Sequence, residues 1–418
     1  MSVKFRPELK LVESLPYWRR SLALRGDQLA DFAALQDGRF GEGELDQLSL
    51  GFAGRASSQV RQRRELRHSL HYILPTNEIL PPEAAEYFIN RFTKVGEAVL
   101  DPFSVDGAVP LEASLMKRRA IYSVWTKQAR HTTSAKLRPA DLAEVALWLQ
   151  TIHFRKPIDL SEYKIYFKNF YHPDTFREIW HLRQAVLSGP DRIADFVGVL
   201  AAGLLHGNTQ QFLSAFTTSQ VALQPSEQER LNFKRAESPE YRQLVPRLLS
   251  RVAHVARDGF GRELRDAATN SLLCGDPRDL TGVKSSSVAL VLTTLWPGWV
   301  ARPESFSWIR EWFFGVTPKQ SLDMPSKLIV NDGWGEFISE VIFELARVVS
   351  SGGRVVFALK ASEESESILK EVVQNSSAGA FVAEGSFYLA TDSLSEFDPQ
   401  LARDLKNSSI LYQVFRRK

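Results

Sequence analysis

Between Val99 and Val124 the chain reads VLDPFSVDGAVPLEASLMKRRAIYSV: an apolar run, a tight turn, an amphipathic helix, a basic stop and a second apolar run. Two short apolar strands joined through a helix form a βαβ unit. Such crossovers are right-handed and cover both faces of a parallel sheet, so this segment commits the chain to an α/β architecture. Ligands of open α/β sheets lie outside the strands' carboxyl ends, which makes the turn from Asp101 to Gly107 the expected seat of a nucleotide-like cofactor. The turn is not a Walker loop, because the Lys and Ser/Thr that would follow it are missing.

Helical periodicity dominates from Pro139 to Ala268, in DLAEVALWLQTIHF, DTFREIWHLRQAVL, RIADFVGVLAAGLLHG and YRQLVPRLLSRVAHVARDGF. Strand patterns return with ATNSLLCGDPRDL and SSSVALVLTTLWPG, followed by a helix FISEVIFELARVVSSGG, a strand RVVFALK and a last strand SSILYQVFRRK. Gly352 and Gly353 are expected to cap that helix. The expected organisation is a basic arm over 1–68, an α/β domain made of 69–138 and 269–418, and a helical insertion over 139–268.

Composition narrows the function classes. Hydrophobic residues at 44% and charged residues at 24% exclude wholesale disorder. Cys274 is the single cysteine, so neither a disulfide framework nor a Cys-rich zinc site is available within one chain. The eight histidines form no H-E-x-x-H pattern, and no metal is expected. With no apolar run of membrane-spanning length and no signal-peptide pattern, the cytoplasm is the expected location. A net charge of +3 says little about partners, but Arg55, Arg61, Arg63, Arg64 and Arg67 crowd one short stretch, as either a solvated helix face or a phosphate-contacting arm. In the insertion Asn208, Thr209, Gln210, Gln211, Asn232, Lys234 and Arg235 are residue types that reach base edges or phosphates, or that simply line a surface loop. Phe306, Ile309, Arg310 and Phe313 recur at helical spacing, which suits core packing or a docked subunit.

Taken in order, these segments resemble the site-specific DNA amino-methyltransferases that modify adenine N6 or cytosine N4. HSLHYILPTNEILPPEAAEYFINRF looks like the family's H-x-Y-P-A-K-F-x-P lead-in, and LDPFSVDGAVPLEASL is similar to L-D-P-F-x-G-S-G-T-T and its helix. LLCGDPRDL resembles G-D-x-R-D-L, and VALVLTTLWPG stands where the family has D-L-V-I-T-S-P-P-Y. The resemblance implies a Rossmann-like S-adenosylmethionine methyltransferase sheet, with the cofactor at Asp101, Phe103, Gly107 and Asp276 and target-recognition elements in the insertion.

The departures from the family pattern fall on the chemistry. Val105 replaces a glycine where backbone must approach the ligand closely, and Asp106 replaces a serine. Val124 stands where the family has the acid that grips both ribose hydroxyls, forfeiting about 1.5–3 kcal/mol per charge-assisted bond. The catalytic tetrapeptide becomes Thr294, Leu295, Trp296 and Pro297; Thr294 is a weaker acceptor for the exocyclic amine, and Trp296 stands one place out of register to stack a flipped base. The expectation is a degenerate member: a pseudo-methyltransferase with no cofactor, which binds DNA, a protein partner such as an active methyltransferase subunit, or both, in a restriction–modification or phage-defence setting. The alternative is an active enzyme using S-adenosylmethionine, with Thr294 and Trp296 as its catalytic pair.

Overall fold

The computed structural model describes residues 9–12, 68–74, 80, 82–124, 126–189, 191–217, 222–261, 264–267, 271–295, 307–323, 334–360, 363–376, 379–389 and 410–418. Among the described residues eight strands form one sheet: β1 (Leu9–Val12), β2 (Ala98–Asp101), β3 (Arg119–Ser123), β4 (Leu272–Cys274), β5 (Val288–Thr294), β6 (Val349–Lys360), β7 (Phe381–Leu389) and β8 (Ile410–Arg417). Their order is β1-β7-β8-β6-β5-β2-β3-β4. Strands β2 to β6 are mutually parallel, whereas β8 runs antiparallel to both β6 and β7.

The centre is apolar because both faces are covered. Along β2 and β5, Val99, Leu290 and Leu292 point to one face, where α1 (Pro82–Phe92) and α2 (Ala108–Leu115) bring Ala85, Phe88 and Val109 onto them. Leu100 and Val291 point to the other, against Ile338 and Ile342 of a later helix. This period-two alternation fixes strand register, since a slip of one residue would exchange the faces.

After β3 comes α3 (Lys127–Leu137), and then the helical layer: α4 (Leu142–Gln150), α5 (Pro173–Leu187), α6 (Arg192–Ala202), α7 (Pro225–Arg235) and α8 (Leu244–Val255). Local chemistry explains their ends. Asp141 and Glu144 form a reciprocal capping box on α4, and His172 caps α5 with Pro173 in its first turn. Leu244, Leu248, Val252 and Val255 give α8 a single buried stripe. The core of this layer also takes in Leu70, Ile73, Leu111 and Ala135, together with Trp308, Ile309, Trp312 and Phe313 of α9 (Trp308–Phe313). The aromatic run is therefore packed inside, and Arg310 is buried with it, while Phe306 lies outside the described residues.

After the short α10 (Pro318–Asp323) come α11 (Trp334–Val348) and α12 (Glu363–Ser376), which cover the second face of the sheet. Gly352 and Gly353 do not cap α11, which ends at Val348; they sit within β6, at a shift in its register against β5 between Val288 and Leu290. Gly353 is required there by close approach, because a Cβ would stand 2.9 Å from the Ser350 carbonyl oxygen.

Candidate cofactor crevice

The strand order reverses between β2 and β5: from β2 the sheet grows through β3 and β4 to one side, and from β5 through β6 to the other. Asp101 and Thr294 end these two strands at the same edge, so the structure brings the turn after β2 and the end of β5 together.

The site is closed. Asp101, Phe103, Ser104, Asp106, Ala108 and Val109 are each buried to 94% or more, although they form the loop that would cradle a ligand. The Asp101 carboxylate accepts a hydrogen bond from Thr293 Oγ1 at 2.6 Å and one from the Phe103 amide at 3.3 Å. Burial outweighs these bonds and pushes the carboxyl up to about 7. Thr293, one residue before the position to which the sequence points, is thus the residue that meets Asp101. Thr294 is buried as the last residue of β5, and Trp296 lies outside the described residues.

The closure comes from α3. Asp106 turns inward, accepting from the Ala108 amide at 2.7 Å with one oxygen and from Lys136 Nζ at 3.0 Å with the other. The Lys136 side chain is fully buried. Gly107 holds φ +77°, and a Cβ there would stand 2.9 Å from both the Cα and the Oγ1 of Thr133. The far side of α3 is tied down by Asp195 of α6, which accepts from Ser134 Oγ at 2.5 Å and pairs with His131 Nδ1 at 2.7 Å. The helix is therefore clasped between the turn and α6. Gly107→Ala is expected to lose about 1–3 kcal/mol from the left-handed backbone alone, with the Thr133 clash added. An unchanged urea midpoint would show that α3 does not seat on the turn.

Val124 follows β3 and packs against Tyr122, Leu137 and Ala267, with no carboxylate in its place. Val105 is half-buried. Asp276, just after β4, is exposed and held in a fork by Arg278 at 2.6–3.0 Å, which keeps its carboxyl below the usual range. Arg278 also reaches Glu340 and lies 5.4 Å from the Phe337 ring centroid; Phe337 in turn packs on Phe103 at 6.2 Å. Asp276 thus lines an open surface groove of 590 Å³ with Arg278, Glu340 and Phe343, and its oxygens are spent on a neighbour.

Of the residues that the sequence marks as DNA contacts, Arg55, Arg61, Arg63, Arg64 and Arg67 lie outside the described residues. Lys234 is exposed at the end of α7. Arg235 is bonded to Glu237 at 2.9 and 3.0 Å and lies 3.9 Å from the centroid of Phe216. Asn232 is buried and donates to the Asn169 carbonyl, so it does not line a surface. Asn208, Thr209, Gln210 and Gln211 are exposed. No helix among the described residues is long and apolar enough to cross a membrane.

The strand order, with β8 antiparallel between β6 and β7, gives the chain a Rossmann-like mixed α/β sheet. No protein-family profile matches the sequence, and no curated protein matches it. Among solved structures it is similar to TrmN from Thermus thermophilus, at 9% identity and a TM-score of 0.29, over 82% of this chain and 50% of that one. It is similar also to geranyl diphosphate C-methyltransferase from Streptomyces coelicolor A3(2), at 7% identity and a TM-score of 0.31, over 80% of this chain and 76% of that one. The chain thus spans half the length of TrmN.

Proposed function

We propose that this methyltransferase-like chain has given up methyl transfer and works as a recognition subunit that binds DNA. The observation that supports the reading is α3: its Lys136 binds Asp106 and its Thr133 packs against Gly107, on the turn that the sequence resemblance assigns to a methyl donor. A polar helix clasped by two carboxylates, Asp106 and Asp195, is a built closure, since each contact uses a charged or hydroxyl group at hydrogen-bond distance. The DNA role is supported by the exposed polar and basic residues that the insertion carries, and by the resemblance of the sequence to DNA amino-methyltransferases. On that reading an active methyltransferase or another defence-system subunit supplies the chemistry, and this chain supplies contacts.

Calorimetry with S-adenosylmethionine tests the closure. The expected outcome is no measurable heat at about 1 mM ligand, the weak end of specific binding. Saturation at low micromolar ligand would return the chain to the active enzymes and end this reading.

A further inference from the structure

We propose that the exposed end of α7 holds an unpaired base of a nucleic-acid strand, stacked on Phe233, with Lys168, Arg230 and Lys234 taking the adjoining phosphates. The proposal rests on the DNA-binding reading above and names the site that would carry it.

The rotation of α7 is fixed from its buried side. Gln228 donates to the Phe216 carbonyl and to Asn232 Oδ1, both at 2.8 Å, and Asn232 donates to the Asn169 carbonyl at 2.7 Å. At the other end Asn169 donates to the Pro225 carbonyl at 3.2 Å, so the segment beside Lys168 runs along the helix. This anchoring turns Phe233 outward until the residue is 90% exposed, more than any other large apolar residue among the described ones. A ring so placed gains nothing for the fold, because apolar stabilisation comes only with removal from water.

The charges around it are also uncommitted. Arg235 is spent on Glu237 and Phe216. Lys168, Arg230 and Lys234 are all exposed, and none has a carboxylate within 4 Å among the described residues. Arg230 stands one helical turn before Phe233, Lys234 directly follows it, and Lys168 adjoins the residue that receives Asn232. Glu229 is the carboxylate on that helical face, which leaves cations in excess. An aromatic face bordered by unpaired cations matches a base and its phosphates, and it favours a single strand because bases within a duplex already stack on one another. The 208–217 loop extends the surface: Arg242 holds it by the Phe212 and Ser214 carbonyls, and Gln228 joins it to α7 at Phe216.

Fluorescence anisotropy on the full chain, with labelled single-stranded DNA, the same sequence in RNA, and duplex DNA, tests this. Phe233→Ala is expected to weaken single-strand binding by roughly 5- to 150-fold, the worth of one stacked base, with an unchanged melting temperature. Phe233→Trp is expected to keep the affinity. Joint replacement of Arg230 and Lys234 by alanine is expected to lower the slope of log affinity against log salt by about 1.4, at about 0.7 per phosphate contact on a single strand. The RNA arm identifies the preferred sugar. Full-strength single-strand binding by Phe233→Ala, or a loss confined to the duplex, overturns this site while leaving the DNA reading intact. If the wild-type chain binds none of the three, both fall.

Discussion

Lys136→Met is expected to cost the fold about 3–5 kcal/mol, a large share of the stability of any domain. The Lys136 side chain is fully buried and Asp106 nearly so, so removing the ammonium takes a buried counter-charge from a carboxylate that has little contact with solvent. Adding Asp106→Asn should recover most of the loss, because the carboxamide oxygen still accepts from the Ala108 amide and no charge is left to solvate. Urea titrations of the two single variants and the double variant close a cycle whose coupling energy measures the pair. A loss below about 1 kcal/mol for the single change is what a solvated surface pair gives, and it would mean that water, and therefore room for a ligand, reaches the turn.

Asp101→Asn is expected to act in the opposite direction. In the unfolded chain this carboxyl titrates near 3.8, and in the folded state burial raises it to about 7. Between those values the folded state keeps a proton that the unfolded state has released. The stabilisation from this group is therefore complete below pH 3.8, falls as the pH climbs toward 7, and is gone above it. Asparagine cannot ionise, and its oxygen can accept from Thr293 and from the Phe103 amide. The variant should match the wild type in acid and exceed it above pH 7, by up to about 4 kcal/mol, since each tenfold change in proton affinity is worth roughly 1.4 kcal/mol. Equal stability of the two proteins at pH 8 would show that burial does not raise the Asp101 carboxyl in the native state.

The scaffold is more legible in the sequence than the site is. Strands β2, β3 and β5 stand out because parallel strands buried on both faces are short continuous apolar runs, and α4, α5, α6 and α8 because their apolar stripes repeat at the helical period. Phe381 to Leu389 does not stand out as a strand, since Glu384, Gly385 and Ser386 interrupt its apolar residues and it lies toward the antiparallel side of the sheet. The decisive element, α3, is hidden for a physical reason. Gln128, Thr132, Thr133, Ser134 and Lys136 are buried in it, so hydrophobic periodicity has nothing to detect. Its partners, Asp106 and Asp195, are 30 and 61 residues from the Lys136 and Ser134 that bind them, and only the folded chain brings them in. The sequence marks Val105, Asp106 and Val124 as departures from the pattern it resembles, but it does not reveal that Lys136 pairs with Asp106. Phe233 is inconspicuous because one aromatic residue in a polar helix reads as an ordinary packing residue until its exposure is known.

The insertion also bears on how the chain is born. β2 pairs with β5 in the middle of the sheet, yet Ala98 and its partner Val288 are separated by the entire helical layer. At a synthesis rate of about 5–20 residues per second, the early βαβ unit emerges some 10–40 s before the strand that completes its other edge. During that interval α3 and the insertion can already close over the turn through Asp106 and Asp195, so the seal can be set before the sheet that carries it is whole.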